Sequence, residues 1–170
     1  MNIVLKRMIG AACLDAATYE QVEADSTSSA SAIMVVVIAS VAAAIGAGSR
    51  DLTSIAGITL AAILSWIVWI GLTLVIGKWI MPEPGTHADI GEVLRTTGFS
   101  ASPGVFRILA GIPGLGLLVF LGVTVWMLFT FVVAIRQALD YTSFSRAFAV
   151  CLLGWLIHGL LFFGFVRVAL

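Results

Sequence analysis

The sequence predicts an all-α integral membrane protein, and three observations carry that prediction. Hydrophobic residues make up 61% of the 170 positions and charged residues only 11%, against roughly a quarter in soluble domains. A core of this size cannot hide so much apolar surface, so much of it must face lipid, and a free-standing soluble enzyme is excluded. The charges are also spaced: no Asp, Glu, Lys or Arg falls between Asp25 and Arg50, Asp51 and Lys78, Arg107 and Arg136, or Arg146 and Arg167. Each interval reaches the roughly 20 residues that a helix needs to cross about 30 Å of hydrocarbon. An ionised side chain at mid-bilayer costs at least about 2.5 kcal/mol, which is why the uncharged runs read as spans. Finally, nine Lys and Arg balance nine Asp and Glu, so the chain has no basic footprint for nucleic acid.

The elements follow in order. Residues 1–25 read as an N-terminal interfacial segment, because the apolar run after Lys6 and Arg7 is too short for the core of a signal peptide. An amphipathic helix would turn Leu5, Met8, Ile9 and Ala12 toward the acyl boundary and Lys6 and Arg7 toward headgroups. A helical turn over Thr18–Ala24 then leads through "DSTSS" into one polytopic domain, residues 26–170. Its first hairpin has spans at about 30–48 and 53–77, joined by only "SRD". Its second has spans at about 115–136 and 146–166, joined by "QALDYTSFS", with Arg136 and Arg146 marking its boundary and Asp140 between them as a local partner.

Between the hairpins all four prolines, Pro82, Pro84, Pro103 and Pro113, punctuate the chain. A helix capped by Asp89 is expected from about Ile90 to Thr97, and a second short helix from Pro103 to near Gly111. This broken segment, about 90–111, either lies in the interface, re-enters, or makes a broken pass. Only eleven uncharged residues separate Arg95 from Arg107, too few for a regular span. Irregular backbone at that depth survives only under the cover of other helices. Lys and Arg divide six to three in favour of a cytoplasmic N-terminus whether four or five passes are counted, as expected of a multi-pass protein of a cytoplasmic membrane.

Small residues supply packing faces. Ser40, Ala44 and Gly48 repeat at four, as do Ala39, Ala43 and Ala47, and Gly57 and Ala61 continue the pattern on the second span. Chemistry is scarcer. The four spans lack the buried carboxylate of a proton-coupled pump, the two His and two Cys show no ligand spacing, and no GxSxG motif occurs, so no enzymatic activity is expected. His158 is the ionisable group inside a span, with Gly154 one turn before it on the same face. That pair reads either as room for a tetrapyrrole held by the imidazole or as a neutral histidine bonded to a hydroxyl such as Ser65 or Thr124.

"LDAATYEQVEAD", "EVLRTTGFSASP", "IPGLG" with Pro113, and "VAIRQALDYTSFSRA" together resemble the bacterial branch of the Yip family, the Ypt/Rab-interacting-protein-type membrane proteins. Gly98, Phe99 and Pro103 stand where the family has its Gly-aromatic…Pro pattern. The resemblance implies five spans, with Gly98–Gly111 as a broken third, and a cytoplasmic N-terminus. The chain lacks the Asp-Leu-Tyr-Gly-Pro-type motif and long polar N-terminal region of the eukaryotic relatives, so small-GTPase binding is not carried over. Three functional readings result. The first is a non-enzymatic Yip-like protein that organises lipids or membrane partners, or itself, by helix packing without a cofactor. The second is an accessory subunit of a bioenergetic or photosynthetic complex, contacting a tetrapyrrole through His158. The third is a lipid or small-molecule carrier, which requires a polar cavity around Ser100, Ser102 and Arg107.

Overall fold

The structure is a computed structural model that describes the backbone of residues 2–169 and the side chains of residues 2–160. Its described residues are helical or in short connections. The order is α1 (Ile3–Ala12), α2 (Ala16–Ala24), α3 (Ser29–Gly46), α4 (Leu52–Val75), α5 (Ile90–Ser100), α6 (Gly116–Ala138) and α7 (Phe144–Ala169). A 3₁₀ turn at Ser26–Ser28 precedes α3, a π turn at Ile76–Ile80 extends α4, and a ten-residue 3₁₀ segment, Ser102–Gly111, follows α5. Three helical stretches, Ser26–Gly46, Leu52–Ile80 and Gly116–Ala138, are long and apolar enough to cross a membrane.

Aspartates start three of the helices, and of these Asp89 is the cap expected from the sequence. Asp15 caps α2, Asp51 caps α4 through Ser54 N at 2.8 Å, and Asp89 forms a reciprocal capping box with Glu92 at the head of α5. Helix α5 runs on past Thr97 to Ser100, because Gly98, Phe99 and Ser100 are buried and continue its packing face. It cannot continue further: Pro103 has no N–H to donate, and the backbone tightens into 3₁₀ geometry.

Three close approaches fix the course of the broken segment. A Cβ added to Gly98 would lie 2.7 Å from the Ala32 side chain, one on Gly104 2.9 Å from Ala39, and one on Gly46 only 2.0 Å from the Arg107 carbonyl oxygen. Residue numbers rise together along both partners, so residues 98–111 run parallel to α3 from Ala32 to Gly46. Helix α6 returns antiparallel, pairing Ser100 with Thr130 and Arg107 with Thr124. Helices α4 and α7 are likewise antiparallel, touching at Ser65–His158, Trp69–Gly154 and Gly77–Tyr141. At about 1.5 Å per residue in α5 and about 2.0 Å in the 3₁₀ segment, residues 90–111 follow about 37 Å of helical path.

The break is covered as the physics of low-dielectric backbone requires. Thr130 Oγ1 donates to the Ser100 carbonyl at 2.8 Å, Ser102 Oγ to Phe99 O at 2.6 Å, and Ser100 Oγ to Thr97 O at 2.7 Å. Trp66 reaches across from α4 and donates its indole N–H to Thr97 Oγ1 at 3.1 Å.

The N-terminal segment departs from the simple interfacial helix of the sequence reading. Helices α1 and α2 form a hairpin packed on α5 and α6, with Ala11, Tyr19 and Val22 fully buried beside Phe99 and Ala134. Met8 packs toward this cluster and Arg7 is held in a 2.8 Å ion pair with Asp25, so neither has the lipid-facing role expected of it. Ile3, Leu5, Ile9 and Leu14 form the exposed apolar side. A second correction concerns the last connection: Arg146 pairs with Glu83 and donates to the Pro82 carbonyl, and Asp140 takes no part. Glu83 also accepts from the N–H and hydroxyl of Thr142, which together hold its carboxyl below the usual carboxylate range.

A Gly46→Ala substitution tests the parallel packing. Alanine gains roughly 0.5–1 kcal/mol of helix propensity over glycine, but a Cβ 2.0 Å from a backbone oxygen forces two chains apart. The expected outcome is a net loss of about 1–3 kcal/mol in denaturant titration of the detergent-solubilised protein. Gly122→Ala on α6, which meets open space, should be neutral or slightly stabilising in the same assay.

Candidate functional site

A cavity of about 290 Å³, its wall mostly apolar with a few polar groups, lies between α4, the 3₁₀ segment, α6 and α7. Its polar groups are single residues on otherwise apolar helices. Ser65 lies midway along α4, Arg107 comes from the 3₁₀ segment, Thr124 from α6 and His158 from α7. Trp66, Trp69 and Trp155 supply much of the remaining wall.

Its hydrogen bonding is one-sided. His158 Nε2 sits 3.1 Å from Ser65 Oγ. Arg107 Nη2 reaches only Thr124 Oγ1, at 3.4 Å, and its buried Nε has no partner among the described residues. Its guanidinium lies 5.9 Å from the centre of the Phe120 ring, within range of a cation–π contact. Trp69 is 6% exposed and its indole N–H has no partner among the described residues, although the ring packs edge-on against Phe131 at 4.9 Å. Guanidinium and indole offer donors only, and among the described residues no carboxylate lines the cavity.

The residues singled out from sequence are placed as follows. Ala39, Ser40 and Ala44 are buried on α3, Ala43 is half-buried, and Ala47 and Gly48 are exposed. Their face is covered from inside the chain by α5 and the 3₁₀ segment, with Gly46, Gly98 and Gly104 making the tightest approaches. Gly57 and Ala61 are exposed on α4. Phe99 and Pro103 are buried at the break, while Pro113 is exposed in the turn before α6. His158 is half-buried, and the space beside Gly154 holds the Trp69 indole, 3.6 Å from a Cβ built there. Ser100 and Ser102 spend their hydroxyls on nearby carbonyls and do not face the cavity; Arg107 does. Trp69 as a cavity donor was not separable in the sequence from ordinary span residues, because what distinguishes it is the lack of a partner among the described residues.

A second polar cluster lies at the opposite end, on the side of the chain's N-terminus. Glu20 and Glu23 of α2, Glu92 of α5, and Gln137 and Asp140 at the end of α6 surround a depression of about 390 Å³. Arg95, 8% exposed, turns its guanidinium away to donate to the carbonyls of Val22 and Glu23, with Nε at 3.2 and 3.0 Å. It thereby caps the C-terminus of α2 with a positive charge, where the helix dipole favours one. Burial, with Asp140, Glu92 and Glu20 adding repulsion that Arg95 only partly offsets, pushes the Glu23 carboxyl up to about 7.

Among the described residues no group of three or more His, Cys, Asp or Glu is arranged to hold a metal ion. No protein-family model, curated protein or solved structure matches the chain.

The raised Glu23 predicts a pH dependence of stability. The folded protein keeps the proton up to about pH 7, whereas the unfolded chain releases it near 4.5. Stability from this group is therefore complete below the unfolded value and is lost as pH rises through 7. Thermal midpoints in detergent should fall between pH 5.5 and 8, and Glu23→Gln should flatten that decline while raising the midpoint at pH 8. A Glu23→Gln profile parallel to the parent would contradict the assignment.

Proposed function

We propose that this chain is a non-enzymatic, Yip-like integral membrane protein that organises the bilayer or its neighbours through helix packing, beginning with self-association. The observation that carries this reading is an uncovered seam on α4. Gly57, Ala61, Leu64, Val68, Gly71 and Val75 are all exposed and recur at four and three residues, the spacing of a helix–helix contact. Nothing lies within 4 Å of a Cβ built at Gly57 or Gly71, so a second backbone could approach there closely. Polar groups elsewhere are largely spent on internal bonds, which leaves surface packing as the main means of recognition.

The membrane arrangement in this proposal has five passes: α3, α4, residues 90–111, α6 and α7. The parallel course of residues 98–111 beside α3 supports counting residues 90–111 as a pass, and α7 has 26 helical residues, about 39 Å. Lys6, Arg7, Lys78, Arg95, Arg136 and Arg146 then gather on one side, the cytoplasmic side of a bacterial inner membrane, with the N-terminus. The exposed face of Ile3, Leu5, Ile9 and Leu14 rests in the interfacial layer of that leaflet.

Two experiments test this reading. Single cysteines placed along α4 in a Cys13→Ser, Cys151→Ser background should form oxidative dimers at positions 57, 61, 64 and 68 and not at 63, 66 or 70. Monomers at every position would remove self-association. In right-side-out spheroplasts a tag after residue 170 should be open to external protease, while the exposed native Cys13 should react with an impermeant maleimide only after lysis. Termini on the same side would remove the five-pass arrangement.

A further inference from the structure

We infer that the cavity around Arg107 binds the anionic head of a membrane amphiphile, a carboxylate or phosphate taken up from the lipid side. Arg107 is a fixed positive charge facing a space with no carboxylate, and residues 161–170 contain no Asp or Glu that could supply one. A cation withdrawn from water without a partner costs several kcal/mol, and an oxyanion answers that cost with short charge-assisted hydrogen bonds.

A second, independent group points the same way. The Trp69 N–H is buried and on the cavity wall, and it too lacks an acceptor among the described residues. Ser65 and Thr124 hydroxyls complete a ring of donors. An oxyanion with several lone pairs satisfies guanidinium, indole and hydroxyl together, which neither a cation nor an apolar ligand can do.

Size and surroundings identify the rest of the molecule. At about 290 Å³ the cavity sits at the low end of small-ligand pockets, enough for a head and the first part of a chain. Most of its wall is aromatic or aliphatic, and Trp155 on that wall is 48% exposed beside Leu156 at 58%. A ligand therefore leaves the cavity along an apolar surface, where an acyl tail is at home and a free ion is not. A second space of about 280 Å³ on the α3 side shares Trp66, Arg107, Met127 and Phe131 with the first, so the guanidinium has room to follow its ligand.

Tryptophan quenching tests the inference, since Trp66, Trp69 and Trp155 surround the proposed head. The purified full chain in a neutral maltoside detergent would be titrated with 11,12-dibromostearate, with its methyl ester, and with inorganic phosphate as a competitor. Saturable quenching by the acid, with the ester at least tenfold weaker, is expected, and phosphate at millimolar concentration should not displace it. Arg107→Gln should weaken the acid at least tenfold, and Arg107→Lys should retain most of the affinity. Equal quenching by acid and ester, or an unchanged midpoint in Arg107→Gln, would overturn the anion site. Displacement by phosphate would overturn the amphiphile and leave a free-anion site. Should Arg107→Gln fail to fold, Thr124→Val with Ser65→Ala removes two donors without touching the charge, and unchanged acid binding there would count against the donor ring.

Discussion

The structure depends on a buried chain break and on the groups that satisfy it. Residues 90–111 begin as an α-helix, lose their regular bonding at Ser100–Pro103, where they are buried, and finish as a 3₁₀ segment whose outer side is exposed. Every carbonyl released by that change needs a donor, because water is not there to provide one. Thr130 comes from α6 for Ser100, and local serines turn back for Thr97 and Phe99. Meeting those demands sets the distance and rotation of α6, while the glycine contacts at 46, 98 and 104 set those of α3. Helices α4 and α7 then close over the outer side, with Trp66 bonded to Thr97 and Tyr141 reaching Gly77 and Met81.

Much of this arrangement is legible in the sequence because charge and proline are loud signals in an apolar chain. The uncharged intervals bounded by Arg50, Asp51, Lys78 and Arg136 mark helices to within a few residues, and Asp89, Pro103 and Gly111 bracket the broken segment. Its passage through the bundle was harder to read, since counting residues between Arg95 and Arg107 assumes α-helical rise and assumes that both arginines must reach water. Neither assumption holds: one arginine caps α2 and the other faces a cavity. Small residues on α3 were visible as a face, but Gly46, the tightest contact, stood outside both fourfold repeats. The candidate site was half legible. His158 and Ser65 could be paired from composition, whereas the significance of Arg107 and Trp69 lies in partners they lack, and no pattern of letters encodes an absence.

The two ends of the molecule are electrostatically different for the same reason. On the N-terminal side, acids and bases are paired with one another or with backbone, as in Arg7–Asp25 and Arg146–Glu83, and surplus carboxylates crowd around Glu23. Deeper in, the residue types that survive among apolar helices are mostly donors, and the one full charge is positive. A chain with zero formal net charge is thus internally polarised, and the sign of each region follows from which groups were left after local bonding was complete.

Beyond its own internal bonds, such as Arg7–Asp25 and Tyr19 to the Ala11 carbonyl, the N-terminal hairpin is docked by groups from later in the chain. Tyr19 needs the Thr130 carbonyl, Ala12 O receives the Trp126 indole, Glu20 receives Gln137, and Val22 and Glu23 receive Arg95. During synthesis the first 25 residues therefore emerge long before their binding surface exists. They wait beside the membrane while more than a hundred further residues are made and inserted, and dock only when α6 has turned. The segment made first thus finds its place only after α6 has been made, and its closure reports that α5 and α6 have come together.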